Sequence, residues 1–494
     1  MNENKNIKKN NTMDRLDRLD LRNLLTVTID GEDAKDLDDA ISLEKVKDGF
    51  KLYVHIADVA HYVKENSEED ERAKILGTST YLTDKVIPML DEKYSNDLCS
   101  LKPGEDKLTI TCIIELDRTG DITNYDIVHT IINSNKKMTY KAVDLVLKGE
   151  KVYGYKLYET LISNMGRLAF LLGKRRFLKG ALDFSLPEAK VIMKRGKPVE
   201  IEVRKKTVAT NIIEEFMILA NETIAEHFFW LEIPFIYRNH DKPDTVKLKN
   251  LNEFMKPLGY SVRGRHGKSY QVLLERIKNS KEENLIKPIL LRTMQRAEYS
   301  SVCNGHFGLA SKYYSHFTSP IRRYPDLLIH RIIKCYLSGN LTKSKMDYYN
   351  EILPSLALDC SVLERKAEEA ERNDVKEKKA IYMKSFIGQR FEGTISFTFD
   401  KKGLFVALDN TVEGFVPLRK FPGEYVYVKD SFTYINKKTK KALSLGDRVL
   451  IEVLKVYEDK VDFKLIRKIE RKAPRAKKQK RKKPAHSVKQ KSKF

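Results

Sequence analysis

Thirteen residues, Thr28 to Ala40 (TIDGEDAKDLDDA), hold six acids: Asp30, Glu32, Asp33, Asp36, Asp38 and Asp39. They stand in a chain with Lys+Arg 92 against Asp+Glu 69, a formal charge of +23. Packed carboxylates repel one another, so a folded site tolerates them only with positive charge among them. Hard oxygen donors with no His or Cys nearby favour Mg²⁺ or Mn²⁺ over zinc. Asp36 and Asp38 are two apart and face the same way in an extended segment, with Asp39 facing opposite. Spacing alone leaves a solvated acidic loop equally open. The spacing does not match an EF-hand, which needs ligands at positions 1, 3, 5 and 12 and glycine at 6.

The elements that must position these acids are short apolar runs. Leu24 to Ile29 reads as a buried strand with Asp30 at its end; Gly31 permits a turn, and Ala40 to Leu43 resumes a strand. A second candidate is HFTSPIRRYPDLLIHR, His316 to Arg331. Pro325 suits the first turn of a helix running through Leu328, Ile332 and Tyr336. That places Arg322 and Arg323 at a helix N-terminus, where backbone N–H groups and guanidinium forks both suit phosphate. Two ordinary surface arginines are the plainer reading. Ser319 and His316 lack a nucleophile elbow and do not make a hydrolase pair.

Elsewhere the patterning is structural. Leu52 to Val63 alternates, and His55, Asp58 and His61 in it do not match a zinc spacing, so packing is the better reading. Ser67 begins a helix through Leu76 that Gly77 ends. Val86 to Leu90 and Lys107 to Leu116 read as extended, and Thr139 to Leu147 and Tyr155 to Arg176 as helices. Ile212 to Phe229 is the clearest helix, with Ile213, Phe216, Met217, Ala220, Ile224 and Phe228 in one stripe. Gly267-Lys268-Ser269 resembles the end of a phosphate loop. Val262 stands where that loop needs its first glycine, and no strand precedes it, which excludes a nucleoside-triphosphatase. Val362 to Ser385 reads as a charged amphipathic helix bridging domains. From Ile387 the pattern becomes short alternating strands, with Phe397, Phe399, Phe405 and Phe415 where a barrel could present stacking faces. Some of these must be core; Phe405 and Phe415 are expected on the surface.

The 494 residues suggest two to four domains, and 41% hydrophobic content is ordinary. No run of about 18 apolar residues exists, so a membrane span is not expected. Residues 1–13 have no apolar stretch and read as disordered rather than as a secretory signal. Cys99, Cys112, Cys303, Cys335 and Cys360 are scattered and read as reduced thiols. From Arg471 to Phe494 there are twelve Lys/Arg and no Asp or Glu, leaving 23 − 12 = +11 on the remainder. The tail reads as disordered, a nonspecific nucleic-acid tether or a solubilising tail, and the body as basic in its own right, with nucleic acid the first candidate partner and an acidic membrane surface the second.

Long motifs extend this reading. TIDGEDAKDLDDA is followed by HIADVAHYV, TSTYLTDKVIPMLDEKYSNDLCSLKPGEDKL, KGALDFSLPEAK, IIEEFMILANETIA, GHFGLASKYYSHFTSPIRRYPDLLIHR and AEEAERNDV. Together, from about Asp20 to Phe463, they resemble the ribonuclease II / ribonuclease R family of 3′→5′ exoribonucleases. The resemblance implies an α+β chain: a mixed α/β catalytic domain with a narrow RNA channel over 14–384, then an all-β OB-fold barrel of ribosomal S-one type over 385–468. A disordered segment over 1–13 and a Lys/Arg-rich tail over 469–494 flank them. Family members usually carry cold-shock-type domains ahead of the catalytic stretch, for which this chain has no room.

The resemblance also implies roles. Asp30, Asp36, Asp38 and Asp39 match the four metal-site aspartates, for Mg²⁺ with Mn²⁺ as the alternative. In a two-ion arrangement the ions lie about 4 Å apart, and three or more of the carboxylates share a point within coordination reach. Arg322 would brace charge on phosphorus, with Arg323 also meeting RNA. Tyr81 and Phe184 match base-clamping positions, Tyr140 a position linked to final product length, and Glu214 and Glu371 channel positions near the 3′-terminal nucleotides. Pro417 stands where many relatives have His. The implied partners are single-stranded RNA 3′ ends and structured RNA with a 3′ overhang, with the ribosome or degradation machinery beyond them. A cytoplasmic monomer with no membrane contact is expected. The alternatives are a noncatalytic RNA-binding protein or chaperone with a disabled nuclease site, and a DNA-directed nuclease.

Overall fold

The computed structural model describes residues 17–184, 188–204, 206–280, 282–428 and 431–469. The N-terminal segment and the basic tail lie outside the described residues. The chain opens with β1 (Leu19–Asp20), β2 (Val27–Asp30), β3 (Asp39–Val46) and β4 (Gly49–Ala57). Helices α1 (Val59–Tyr62) and α2 (Glu68–Leu76) follow, then a small hairpin of β5 (Thr80–Tyr81) and β6 (Val86–Ile87). Three further strands, β7 (Asp106–Asp117), β8 (Ile122–Asn133) and β9 (Lys136–Thr139), complete a seven-stranded sheet ordered β1-β8-β7-β4-β3-β2-β9. Only the outer pairs, β1 with β8 and β2 with β9, are parallel.

The expected cap is present on α2: the Ser67 hydroxyl accepts the Asp70 N–H, and Gly77 ends the helix at φ 70°. Leu52 to Ile56 does not alternate as expected, because β4 is buried on both faces. His55 is therefore a core residue, within hydrogen-bond distance of Ser42 Oγ (3.1 Å) and Thr111 Oγ1 (2.8 Å). Asp58, one residue beyond β4, is fully buried between Arg18 Nη2 at 2.5 Å and Lys334 Nζ at 2.8 Å. Neither residue is free for a metal.

Helices α3 (Tyr140–Leu147) and α4 (Glu159–Lys179) lead through a hairpin, β10 (Glu188–Lys194) and β11 (Lys197–Arg204), to α5 (Val208–Trp230). The expected single stripe on α5 is too narrow. Ile212 and Leu219, off that stripe, are buried as well, because α5 packs between α3, α4 and strands β4 and β7. After β12 (Tyr237–Asn239) come α6 (Thr245–Met255), α7 (Gly267–Ile277) and α8 (Glu283–Thr293). These three helices enclose their own core of Leu251, Met255, Tyr270, Leu273, Ile286 and Leu290, distinct from the core around the main sheet. The Gly267-Lys268-Ser269 motif opens α7. A Cβ at Gly267 would lie 2.1 Å from the Gly180 carbonyl, so a backbone contact requires glycine there.

β13 (Glu298–Ser300) pairs with β12 and precedes α9 (Tyr324–Leu337) and α10 (Lys343–Met383). The bridging helix expected over 362–385 begins nineteen residues earlier, capped by Thr342 and continuing through Pro354. Its 41 residues span about 60 Å. The last segment forms β14 (Arg390–Phe399), β15 (Gly403–Leu408), β16 (Glu413–Pro417), a three-stranded sheet of β17 (Tyr425–Val428), β18 (Thr433–Asn436) and β19 (Ala442–Leu443), then β20 (Arg448–Val456) and β21 (Val461–Lys468). Strands β14-β15-β16-β21-β20 close into a barrel. Phe463 fills its interior against Gly414, where a Cβ would stand 2.4 Å from the ring. The chain is thus α+β, with an all-β C-terminal barrel.

Candidate active site

The acidic loop is held from outside. The Ser100 hydroxyl donates to the Lys35 carbonyl at 2.6 Å, Leu37 is buried, and Lys137 Nζ donates to the Ala34 carbonyl at 2.5 Å. Asp30 ends β2 opposite Thr139, the residue that caps α3. Asp39 opens β3, and the carbonyl of Asp38 accepts the Ala57 N–H at 2.9 Å. Asp38 Oδ1 accepts the Ile321 N–H at 2.8 Å, while Oδ2 stands 3.8 Å from Arg322 Nε. Asp36 Oδ2 accepts the Tyr81 hydroxyl at 2.9 Å. Residues 31–38 form a turn and loop rather than a strand, so the extended geometry on which the Asp36, Asp38 and Asp39 facing was argued is not the one found. The charges of Asp36 and Asp39 both act on Asp30 and Asp38.

Burial and mutual repulsion dominate the electrostatics. Asp30 is pushed up to about 8, by burial first and the Asp39 charge second. Burial raises Asp38 well above the ordinary carboxylate range, against Arg322. Asp39 is pushed up to about 6 by burial, with Arg322 and Arg323 opposing. One oxygen of Asp30 is buried without a hydrogen-bond partner. Such a group fits a divalent cation, which would keep the carboxylates ionised and occupy the orphan oxygen.

The ready-made cage expected of three shared carboxylates is absent. Among the described residues no three His, Cys, Asp or Glu side chains are grouped to hold a metal ion. Asp38 is engaged by the Ile321 amide and Arg322, and Asp36 by Tyr81. The donor set still suits Mg²⁺, which keeps several waters and binds through one or two carboxylates plus substrate phosphates.

The two arginines divide. Arg322 is 43% exposed, and its Nη2 donates to Ser319 Oγ at 3.1 Å. Its carbonyl accepts the Ser79 N–H (2.9 Å) and the Thr78 hydroxyl (3.0 Å), which roots the β5–β6 hairpin beside it. Arg323 was expected at RNA as well. It is instead the N-cap residue of α9, with its guanidinium on the fully buried Asp326 at 2.7 Å. The i,i+3 spacing of Arg323 and Asp326 within RRYPD carried that signal. Burial keeps His316 neutral, and its Nδ1 lies 2.8 Å from the Tyr299 hydroxyl, away from any nucleophilic role.

Of the other site candidates, Tyr81 reaches the aspartates through its hydroxyl, and its N–H donates to Glu371 Oε1 at 2.7 Å. Tyr140 begins α3 beside Asp30, and burial followed by Asp30 and Asp39 raises its phenol. Glu214 is held on α5 by Lys206 Nζ at 2.6 Å and Arg176 Nη2 at 3.6 Å. Phe184 lies half-buried against the three-helix core. On the barrel, Phe397 pairs with Phe405 and Phe405 with Phe415 across adjacent strands. Ring centroids run Phe397–Phe399 4.7 Å, Phe399–Phe405 5.8 Å and Phe405–Phe415 5.2 Å. The expectation that some of the four are core fails: Leu404, Val406, Val416 and Phe463 fill the interior, and all four rings lie partly exposed outside it.

Residues 18–339 match the RNB domain and residues 384–466 the S1 RNA binding domain. Ribonuclease R 1 of Lactococcus lactis is 39% identical over 460 residues, covering 91% of this chain and 56% of the relative. Ribonuclease R of Thermotoga maritima is 42% identical over 465 residues, covering 92% and 65%. The chain thus spans between half and two thirds of the length of these curated relatives. The structure of Mycoplasma genitalium RNase R in complex with ribose-methylated single-stranded RNA matches with a TM-score of 0.84 at 31% identity, over 91% of this chain and 72% of that one. With its catalytic fold, acidic loop and barrel all inside these matches, the chain belongs to the RNB-domain ribonuclease R family.

Proposed function

We propose that this chain is a processive 3′→5′ exoribonuclease that hydrolyses RNA to nucleoside 5′-monophosphates. The observation that supports it most is the exposed Arg322 guanidinium 3.8 Å from the buried Asp38, in the loop that also carries Asp30, Asp36 and Asp39. Asp30, Asp36, Asp38 and Asp39 would hold Mg²⁺, or Mn²⁺ in its place, which when bound supplies an acidified water and positive charge at the leaving 3′ oxygen. The chain's own residues do the rest. Arg322 turns its free N–H groups to the phosphate and braces the charge that develops on it. Asp38, fixed by the Ile321 amide, keeps that guanidinium aligned. Tyr81 stacks on a terminal base while its hydroxyl reports to Asp36, and Phe184 stacks on a neighbouring one. Tyr140 closes the floor beside Asp30, and Glu214 and Glu371 line the path to the 3′ terminus. Outside, Phe405 and Phe415, with Phe397 and Phe399, offer successive bases a stacking surface.

The substrate is single-stranded RNA with a free 3′ end, including the overhang of a structured RNA, taken by a cytoplasmic monomer acting in RNA degradation. Contact with the ribosome or degradation machinery would follow from that substrate. No helix among the described residues is long and apolar enough to cross a membrane. The test is a product ladder on a 3′-tailed hairpin RNA, wild type beside Asp38→Asn, with Mg²⁺ or EDTA. Mononucleotides from wild type with Mg²⁺ alone are expected. RNA retained but never shortened by wild type would leave a noncatalytic RNA-binding protein, and equal cleavage of matched deoxy oligomers would make the chain a general nuclease.

A further inference from the structure

The β5–β6 hairpin that carries Tyr81 has only two residues in each strand, and its outer side chains are open: Tyr81 is 39%, Val86 50% and Ile87 41% exposed. A two-stranded ribbon this short does not hold its own shape in water. Its root is tied to the arginine turn through Ser79, Thr78 and the bridge from Thr78 to Arg323. Its free edge needs separate support. At its tip the Leu82 N–H turns inward to the Lys85 carbonyl at 2.9 Å, and the N–H groups of Tyr81 and Thr83 on either side of it turn outward. On that side lies α10. Glu371 Oε1 accepts the Tyr81 N–H at 2.7 Å, and Asp374 Oδ2 accepts the Thr83 N–H at 2.7 Å. Residues 371 and 374 are three apart and so share one helix face, matching the two edge donors with two carboxylates. Both bonds are charge-assisted. The Asp374 side chain is only 14% exposed and is flanked by Lys378 at 3.8 Å.

We infer that Asp374, acting with Glu371, is a positioning residue for Tyr81: the two carboxylates clasp the open edge of the hairpin and fix where the Tyr81 ring and hydroxyl stand relative to Asp36. This changes the expected role of Glu371, whose carboxylate is engaged by backbone. The same stretch of α10 also seats the barrel, through Lys376 Nζ on Asp459 at 2.5 Å and Lys379 Nζ on the Thr411 carbonyl at 3.1 Å. One rigid helical segment therefore sets both the stacking hairpin and the barrel.

The inference deepens the exoribonuclease reading and rests on it for its kinetic consequence alone. In the full chain, Asp374→Ala is expected to speed hydrogen exchange of the Tyr81 and Thr83 amides about tenfold with an unchanged urea midpoint. On a 3′-tailed RNA it raises KM more than it lowers kcat, and Asp374→Asn, which keeps an acceptor oxygen, restores most of the loss. Tyr81→Ala gives the same KM-weighted loss, and adding Asp374→Ala to it brings no further loss. Exchange at both amides no faster than in wild type, or an Asn variant no better than Ala, overturns the inference. If the wild-type chain leaves RNA intact, the exchange measurement still decides the clasp while the exoribonuclease reading falls.

Discussion

Asp58 and the aspartates of the 30–39 loop are near neighbours built in opposite ways. The Ala57 amide bonds the Asp38 carbonyl, and the next residue is Asp58. Asp58 and Asp38 are buried, while Asp30, Asp36 and Asp39 are partly buried. Burial opposes ionisation of Asp58 too, but Lys334 and Arg18 outweigh it and hold the carboxyl far below the ordinary range. For Asp30, Asp38 and Asp39 burial prevails: Lys137 beside Asp30, and Arg322 beside Asp38 and Asp39, do not offset it, so all three move upward. The first centre is complete: a closed ion triad that ties β4 to α9 and to the chain ahead of β1. In the second the acids outnumber the cations beside them, an arrangement that suits a site taking a cation. Burying an acid therefore does not by itself set its purpose; the built-in cations decide.

Substitutions at the two centres should separate sharply. Asp38→Asn is expected to cut RNA shortening by about 10³-fold or more, measured as mononucleotide release in single-turnover assays. Its urea midpoint without metal should be no lower than that of wild type, because a repelling charge is removed and the Ile321 amide keeps an acceptor. Asp58→Asn should do the reverse and lose about 3 kcal/mol of stability, since Arg18 and Lys334 are left beside a neutral partner. An Asp58→Asn protein as stable as wild type would erase the contrast between the centres.

A smaller effect comes from the barrel. Phe405→Ala should weaken binding of single-stranded RNA by about 1–3 kcal/mol in a fluorescence titration, leaving the urea midpoint unchanged because the ring lies outside the barrel core. A drop in stability without a drop in affinity would make the ring a packing residue.

The smallest effect is in pH dependence. Asp30 at about 8 and Asp39 at about 6 are raised above the unfolded value near 3.9. Their contribution is fully present below pH about 4 and is lost as pH rises toward 8, because the native state binds more protons than the unfolded one in that window. Asp58 has the opposite sign: its contribution is present above pH about 4 and fades as pH falls below it. In EDTA, urea midpoints between pH 5 and 8 should therefore decline, and Asp30→Asn should flatten the decline. Adding Mg²⁺ should stabilise more at pH 8 than at pH 5, with proton release seen by calorimetry in buffers of different ionisation enthalpy. Equal stabilisation at both pH values would remove the metal reading of the loop.

Local order was legible along the chain because its causes are local. The Ser67 cap, the Gly77 stop, the strand ending at Asp30 and the helix opening at Pro325 follow from hydrogen-bond and torsional preferences within a few residues. The catalytic candidates were visible for the same reason, as clustered charges that no ordinary fold would bury unpaid. Other features were not local. That β4 is covered on both faces, that α5 is buried nearly all round, and that the three helices from Thr245 to Thr293 own a separate core depend on which elements meet. The i,i+3 spacing hinted at the Arg323–Asp326 pair, but that Arg323 is largely buried while Arg322 stays exposed depends on depth beneath a turn. Partnership across distance is the clearest case. Thr83 meets Asp374 and Asp38 meets Ile321 over more than 280 residues of sequence. Sequence determined which side chains carry charge and which segments curl or extend; the tertiary structure alone decided which charges find partners, because electrostatic and hydrogen-bond energies depend on separation in space and on burial, and neither is a property of a residue by itself.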